Sequence, residues 1–363
     1  KKFMDEAQEN YRIAMQDLVY NPGLSLLELV SVESAKRLNL FVKNISEQVR
    51  KEIKNPKLRS ILEFPVLFLG AKPNKTPAFY NFMNHADFGL GTWYPKGGFN
   101  AVALGMVKLA KELGVEFHVN EEVIGIDYEN NQAKKIRTQN GVYEADVFIS
   151  GADYAHTEKL LNGNRNYSEE YWQKKTFAPS SFLYYVAFNR KVNHLLHHNL
   201  FFDTDFEAHA KEIYDTKELP KQPLFYANFS SKTDDSLCEE GKEVGFFLIP
   251  VAVDLEDNEE IHEKYFQLIL DRIKKCTGED LSDAIVFKKS FGVKDFKERY
   301  HSCRGNAYGL ANTLLQTSVL RPTIKNKKLK NFFYTGQLTV PGPGVPPALI
   351  SGKVVTDYIL KNN

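Results

Sequence analysis

Two glycine-rich turns have the composition to hold an anion or the charged edge of a cofactor. One is Ser150-Gly151-Ala152-Asp153, after the apolar run Val147-Phe148-Ile149. The other is Pro341-Gly342-Pro343-Gly344-Val345-Pro346-Pro347, after Phe332-Phe333-Tyr334-Thr335-Gly336. Each follows a strand pattern and opens a helix pattern. Glycine permits close backbone approach, and a helix N-terminus presents free N–H groups with a partial positive charge. Proline is tolerated in the first helical turn because those amides have no intrahelical partner. Pro343-Gly344-Val345-Pro346 also fits P-x-x-P, but peptide ligands of that kind lie in polar, extended chain. Here the motif sits between an apolar strand and an amphipathic helix, so cofactor contact is the expected role.

Other residues able to do chemistry are few. His194, His197 and His198 form H-x-x-H-H, a spacing that can bring two imidazoles together. No second group of Cys, Asp or His supports them, so partnered structural histidines are expected and a metal is not. Cys238, Cys276 and Cys303 are far apart with no C-x-x-C, which fits a reducing compartment rather than a disulfide frame. No nucleophile–base constellation stands out, and the catalytic residues are left unassigned. Trp93, Tyr94, Leu183 and Tyr185 are tentative linings for a long apolar ligand, with core packing as the competing explanation.

The elements that must position these groups follow from periodicity. Phe3, Ala7, Tyr11, Ala14 and Leu18 recur at helical spacing, and Asn21-Pro22-Gly23 ends that run. A second periodic stretch, 25–49, carries a charged, solvated face. Residues 64–70 are apolar and precede Lys72-Pro73-Asn74-Lys75-Thr76-Pro77; a buried wall is expected, the alternative being a segment dipping into lipid head groups. Residues 91–98 enter a helix on which Val102, Met106, Leu109 and Leu113 share a face, with Gly114 at the C-terminal cap. Val115-Glu116-Phe117-His118-Val119 alternates like a strand. Residues 123–128, 134–138 and 142–144 read as short strands joined at Asn130-Asn131 and Asn140-Gly141. The run 147–149 predicts a strand covered on both faces. Residues 165–330 mix strands at 182–188, 224–229, 245–253 and 285–289 with helices at 207–215 and 259–276.

The chain has 363 residues, which suggests two domains at roughly 150 residues each. Hydrophobic residues make up 43% and charged residues 26%, values that exclude a disordered chain. A net charge of +1 argues against a nucleic-acid partner, which would call for a basic surplus. Aromatic residues reach 13%, implying a large core or a large apolar cavity. No window approaches ~18 uninterrupted apolar residues, so no membrane-spanning helix is expected, nor is a signal peptide. The opening Lys-Lys-Phe-Met-Asp lacks an initiator methionine and is already helical in pattern, so the polypeptide is expected to be part of something longer.

The segments GTWYPKGG (91–98), SGAD (150–153), RGNAYGL (304–310) and NFFYTGQLTVPGPGVPPALISG (331–352) resemble the bacterial phytoene-desaturase-type carotenoid oxidoreductases, flavoproteins related to the amine oxidases. The likeness runs through the whole chain in order. Within that family, the form of the C-terminal motif and Leu195-Leu196-His197-His198-Asn199 most resemble the hydroxycarotenoid 3,4-desaturase branch.

The resemblance implies an α/β plus α+β architecture. Residues 91–163 and 331–363 would form the remainder of an FAD-binding, glutathione-reductase-like Rossmann domain. Residues 164–330 would form a mixed-sheet substrate domain, and 1–90 a helical, membrane-facing part of it. The family's N-terminal G-x-G-x-x-G is absent, since Gly89-Leu90-Gly91 lacks the third glycine and a preceding strand. FAD is therefore expected as cofactor but poorly bound or absent in this stretch. The resemblance puts Val123 at the adenine, Gly151 and Ala152 beside the cofactor, and Gly336 and Gln337 near the pyrophosphate and ribityl chain. Gly344, Val345 and Pro346 would approach the flavin pyrimidine edge. Some members of the family it resembles carry Asp-x-x-Arg after a Leu-Ser pair, a motif suggested to act in acid–base chemistry. Here Leu24-Ser25 is followed by Glu28 and Ser31, without the arginine, and Glu28 is expected to be a helix-surface carboxylate.

The implied reaction is desaturation of a long hydrophobic carotenoid with quinone or oxygen as electron acceptor. The implied location is the cytoplasm, peripherally on the inner face of the cell membrane. Phytoene desaturation, carotenoid isomerisation on the same scaffold, and a non-catalytic lipid-binding protein are the alternatives.

Overall fold

The computed structural model describes residues 1–25, 28, 40, 43–313 and 315–362. In chain order the main helices are α1 (Lys2–Ile13), α2 (Ile45–Glu52), α3 (Pro56–Glu63), α4 (Gly98–Glu112), α5 (Tyr154–Leu160), α6 (Glu169–Lys174), α7 (Phe206–Lys211), α8 (Glu259–Thr277), α9 (Val293–Tyr300) and α10 (Val345–Asn362). The strands are β1 (Val123–Glu129), β2 (Gln132–Thr138), β3 (Val142–Glu144), β4 (Phe148–Ser150), β5 (Ser180–Phe188), β6 (His198–Phe201), β7 (Phe225–Asn228), β8 (Glu243–Val251), β9 (Ile285–Phe291) and β10 (Phe332–Tyr334). The chain folds as two compact units. One comprises Lys1–Thr92, Asn120–Ala178 and Tyr300–Asn363; the other comprises Trp93–Val119 and Pro179–Arg299.

The first unit holds the helical N-terminal region, an antiparallel meander β1-β2-β3 and a parallel pair β10-β4. Helix α1 buries Phe3 and Ala7 as its periodicity predicts, and continues as a wider turn over Ala14–Leu18. Phe3 packs with Ile45, Val49 and Val66, so Val66 belongs to a buried wall. Most of the helix expected over 25–49 lies outside the described residues. The β1–β2 hairpin turns at Asn130 and Asn131, both with positive φ, as the mirror-image turns that suit strand twist require. Strand β4 departs from expectation. Phe148 is buried, but Ile149 is 49% exposed, because among the described residues β4 pairs only with β10 and its other edge has no neighbouring strand. Phe333, in register with Ile149, is itself buried and packs with Val354 and Val355 and with Ile324 and Val340.

The second unit is a five-stranded sheet of order β6-β7-β8-β5-β9, antiparallel throughout. Alternation along β5 sends Phe182, Tyr184, Val186 and Phe188 to one face, where they meet Phe247, Ile249 and Val251 of β8. Helix α8 covers that face with Tyr265, Phe266, Ile269, Leu270 and Ile273, spaced as one helical stripe. Asn258 caps its start by accepting from the Ile261 N–H at 2.9 Å. Burying such a set of large side chains supplies the hydrophobic drive for this unit, at about 1.5–3 kcal/mol each.

Helix α4 forms where expected, yet Val102, Met106, Leu109 and Leu113 are all exposed. The strand expected at 115–119 does not form. Its alternation is present, but among the described residues no partner strand pairs with it, and Val115, Phe117 and Val119 stay exposed. Strand β6 was not anticipated; its sequence, His198-Asn199-Leu200-Phe201, is too short for periodicity to mark.

Candidate functional site

Parallel pairing brings the two glycine turns together in the first unit. Tyr334 lies opposite Ser150, and the Thr335 N–H donates to the Ser150 carbonyl at 2.9 Å, so Gly151 and Gly336 leave the sheet side by side. A Cβ built on Gly336 would meet nothing closer than the Gly151 carbonyl at 3.9 Å, and one on Gly151 only Thr335 Cγ2 at 3.7 Å. The turns are open on their outer side, a cradle that backbone alone defines. Ser351, fully buried on the second turn of α10, ties the same point to that helix. Its hydroxyl accepts from the Gly336 N–H at 3.0 Å and the Thr335 hydroxyl at 2.9 Å, and lies 3.0 Å from Thr339 Oγ1. Ser351 is the seventh residue of α10, so Val345 begins the helix roughly 9 Å away along the axis.

Gly344, Val345 and Pro346 are exposed, and φ is +118° at Gly344, a conformation only glycine adopts readily. Pro346 and Pro347 lack N–H groups, so the free donors at this N-terminus are Gly344 and Val345. The first glycine turn behaves differently. Asp153 caps α5, accepting from the His156 N–H at 3.1 Å and, with its other oxygen, from the Cys303 N–H at 3.1 Å. A carboxylate already supplies the negative group there, and burial raises its pKa. The anion-binding end expected at 150–153 is thus filled by the chain itself, leaving Gly151 and Ala152 as exposed backbone.

Gln337 is held from below. Arg321 is buried, and its guanidinium donates to the carbonyls of Thr339 at 2.8 Å, Gln337 at 2.7 Å and Gln316 at 3.2 Å, and to Asn312 Oδ1 at 2.5 Å. No carboxylate is among these acceptors, and burial pushes the pKa down to about 10, so the group stays charged at neutral pH. Gly309, in the RGNAYGL segment, abuts the same place. A Cβ there would lie 2.9 Å from the Gln337 carbonyl, and φ is +83°.

Val123 opens β1, half-buried and opposite Thr138. Its neighbour Glu122 meets His301 Nε2 at 3.0 Å, and the His301 ring stacks on His156 at 4.1 Å. His156 lies in the first turn of α5, so these contacts stitch the start of β1 to the turn after β4. Burial and the His301 charge lower the His156 pKa. Glu28 is more than a surface carboxylate: it accepts from the N–H groups of Gly23 at 2.7 Å, Leu24 at 2.9 Å and Ser25 at 3.0 Å, clamping that loop.

In the second unit, the sheet face opposite α8 carries Leu183, Tyr185, Leu200, Tyr226, Phe246 and Leu248, all half-buried or exposed. Leu183 and Tyr185 therefore separate from Phe182 and Tyr184, which are core. Rings run in sequence from Tyr94 to His197 at 4.7 Å, His198 at 4.2 Å and Tyr226 at 5.9 Å. The series continues through Phe246 at 6.4 Å to Tyr185 at 5.3 Å. Trp93 is 84% exposed. Among the described residues no group of three or more His, Cys, Asp or Glu side chains could hold a metal ion, and His197 and His198 meet Thr233 and Tyr226 instead.

Backbone donors at glycine turns beside a helix N-terminus suit an extended, anionic cofactor. The description "Flavin containing amine oxidoreductase" matches residues 24–360, and the chain belongs to that family. It is 37% identical to a carotenoid 3,4-desaturase of Haloarcula japonica, over 100% of this chain and 74% of that protein. It is 29% identical to a zeta-carotene-forming phytoene desaturase of Myxococcus xanthus, over 99% of this chain and 70% of that one. A 1-hydroxycarotenoid 3,4-desaturase of a Flavobacterium species is 28% identical over 89% of this chain and 66% of that one. Among solved structures, an oxidoreductase from Methanosarcina mazei shares the fold at TM-score 0.58 and 17% identity, covering 92% of this chain and 74% of that one. A putrescine oxidase variant does so at TM-score 0.57 and 13% identity, covering 99% and 75%.

Arg321 and Ser351 escaped sequence reasoning. Arg321 left a trace, being the sole charged residue between 305 and 324, where a charge has no evident helix face to sit on. Ser351 left none; a serine in a helix is ordinary.

Proposed function

We propose that the protein is an FAD-dependent carotenoid desaturase, resembling the 1-hydroxycarotenoid 3,4-desaturases, that forms a conjugated C=C bond in a long acyclic polyene. The observation that carries the reading is that the Gly151 and Gly336 strand ends leave the sheet side by side, with Gly336 tied through Ser351 to the second turn of α10, whose start is exposed, within one unit. Similarity to the Haloarcula carotenoid 3,4-desaturase over the whole chain supports the substrate class.

FAD, when bound, supplies a two-electron acceptor for the hydride that leaves the allylic carbon. Everything else falls to this chain's residues. Gly151, Ala152 and Gly336 would present backbone along the cofactor, with Gln337 beside them. Gly344, Val345 and Pro346 would turn the positive end of α10 toward the flavin's pyrimidine edge and favour negative charge there. Val123 would lie toward the adenine end. Leu183 and Tyr185, with Trp93 and Tyr94, offer an apolar surface that keeps water from the polyene. The proton lost from the neighbouring carbon has no assigned acceptor, and electrons pass onward to quinone or oxygen.

Without a G-x-G-x-x-G fingerprint, these 363 residues by themselves bind FAD weakly. No described helix is long and apolar enough to cross a membrane. A substrate that resides in lipid supports peripheral attachment at the inner face of the cell membrane as the reading. The deciding experiment expresses the complete gene in cells that accumulate candidate carotenoids and identifies products by mass and absorbance. Loss of two hydrogens with a longer-wavelength chromophore is expected. An unchanged mass with altered geometry would mean isomerisation. Purified complete protein that takes up neither FAD nor hydrogen would point to lipid binding alone.

A further inference from the structure

The aromatic track on the second unit's sheet ends in a polar group whose hydrogen bonds do not close. His198 Nδ1 lies 2.5 Å from the Tyr226 hydroxyl, and Asn228 Nδ2 donates to that hydroxyl at 2.8 Å and lies 3.4 Å from His198 Nδ1. Asn199 braces the loop that presents them, its amide donating to the Leu196 carbonyl at 2.6 Å while its oxygen accepts from the Leu196 N–H at 2.8 Å. His197 sits between the Tyr94 and His198 rings, with Nδ1 2.6 Å from Thr233 Oγ1. Its Nε2 is buried with no partner.

A neutral imidazole with one nitrogen engaged has one vacancy. The Thr233 hydroxyl either receives the His197 Nδ1–H while donating to the Ser230 carbonyl 3.5 Å away, or donates to Nδ1 itself. Nε2 is left unpaired in both tautomers, as a lone pair or as an N–H, and a hydroxyl, which both donates and accepts, answers either. Burial and the neighbouring His198 hold the His197 pKa down. An unsatisfied buried polar atom is unfavourable in a folded protein and marks a place where a ligand group or water belongs. Beyond His198 the ring series continues over apolar, extended sheet: Tyr226, Phe246 and Tyr185, with Leu200, Leu248 and Leu183 in the adjoining row.

We infer that His197 receives the terminal hydroxyl of a long apolar substrate laid along this sheet face, with His198, Tyr226 and Asn228 as the polar surround, so that His197 is a specificity-determining residue. The inference rests on the desaturase reading for the nature of the apolar chain, but the pairing of hydroxyl with Nε2 stands on this unit's geometry. A site built around a hydroxyl discriminates against the analogue lacking it, because the protein's own group is then left unpaired.

The test uses the complete, flavin-loaded protein and two acyclic polyenes of equal length, one with a terminal tertiary hydroxyl and one without. Wild type should favour the hydroxylated polyene by about tenfold or more in kcat/KM. His197→Leu should reduce that ratio to near unity, and His197→Gln, which restores a polar group, should recover part of it. A ratio that His197→Leu leaves unchanged, in protein that keeps its flavin and its unfolding transition, would overturn the inference and assign the vacancy to water. Equilibrium binding of both polyenes without turnover separates the two readings. Binding preference without a new double bond would sink desaturation and keep the hydroxyl site; turnover without preference would do the reverse.

Discussion

Arg321 offers the sharpest test of how the cofactor-facing loop is held. Its guanidinium reaches four good acceptors on separate stretches of chain: Thr339 O, Gln337 O, Gln316 O and Asn312 Oδ1. In Arg321→Lys the charge persists, but a single nitrogen cannot span acceptors that lie on both sides of a planar fork. At least two buried acceptors would be stranded. At about 1–3 kcal/mol for each, the loss comes to about 2–6 kcal/mol. Arg321→Met strands all four, yet it also removes a buried charge with no carboxylate among its acceptors, whose desolvation opposes folding by several kcal/mol. Methionine is therefore expected to be no worse than lysine, the reverse of a ranking by charge. The assay is denaturant unfolding of the complete protein followed by tryptophan fluorescence. Trp172 is buried in the first unit while Trp93 is already solvent-exposed, so the signal change reports the unit that contains Arg321. Flavin retained after gel filtration gives a second readout. Lysine within about 1 kcal/mol of wild type, with flavin retained, would refute the view that the carbonyl ties hold residues 336–340 in place.

Other outcomes follow from single contacts. Ser351→Ala leaves the Gly336 N–H without its acceptor and should lower stability by about 1–3 kcal/mol and loosen flavin, measured by the same unfolding and retention assays. Gly309→Ala combines φ of +83° with a Cβ 2.9 Å from the Gln337 carbonyl, and should destabilise by about 2 kcal/mol or more; a neutral result would mean the loop yields easily. His209 accepts from the Leu224 N–H at 3.0 Å and donates to the Pro250 carbonyl at 2.9 Å, and burial lowers its pKa to about 4. The unfolded chain, titrating near 6.5, binds the extra proton between those values. Stability of the second unit should be full above about pH 6.5 and fall toward pH 4 by up to about 3 kcal/mol, and His209→Gln should flatten that slope.

Much of this protein is written locally. The hairpin at Asn130-Asn131, the helix that starts at Val345, and the alternation that parts Leu183 and Tyr185 from Phe182 and Tyr184 each follow from a few neighbouring residues, because turn chemistry and side-chain period act over short range. The glycine turns were legible for the same reason, and so was the kind of ligand they suit. What residues 115–119 and Ile149 show is the limit of that reading. Strand alternation and apolar runs state what a segment is able to bury, while a partner from elsewhere decides whether it does, and both remain exposed here. The same holds for the groups that secure the site. Arg321 and Ser351 matter through acceptors and donors on distant stretches of chain, and the His197 vacancy exists because Thr233, Tyr94 and His198 surround one ring. Composition and spacing determined the elements, and the resemblance of the glycine-rich motifs to a known family implied the class of chemistry. Only tertiary structure decided which polar atoms were satisfied and which were left waiting, because hydrogen bonding between remote segments is a property of the packed chain and leaves no period in the sequence.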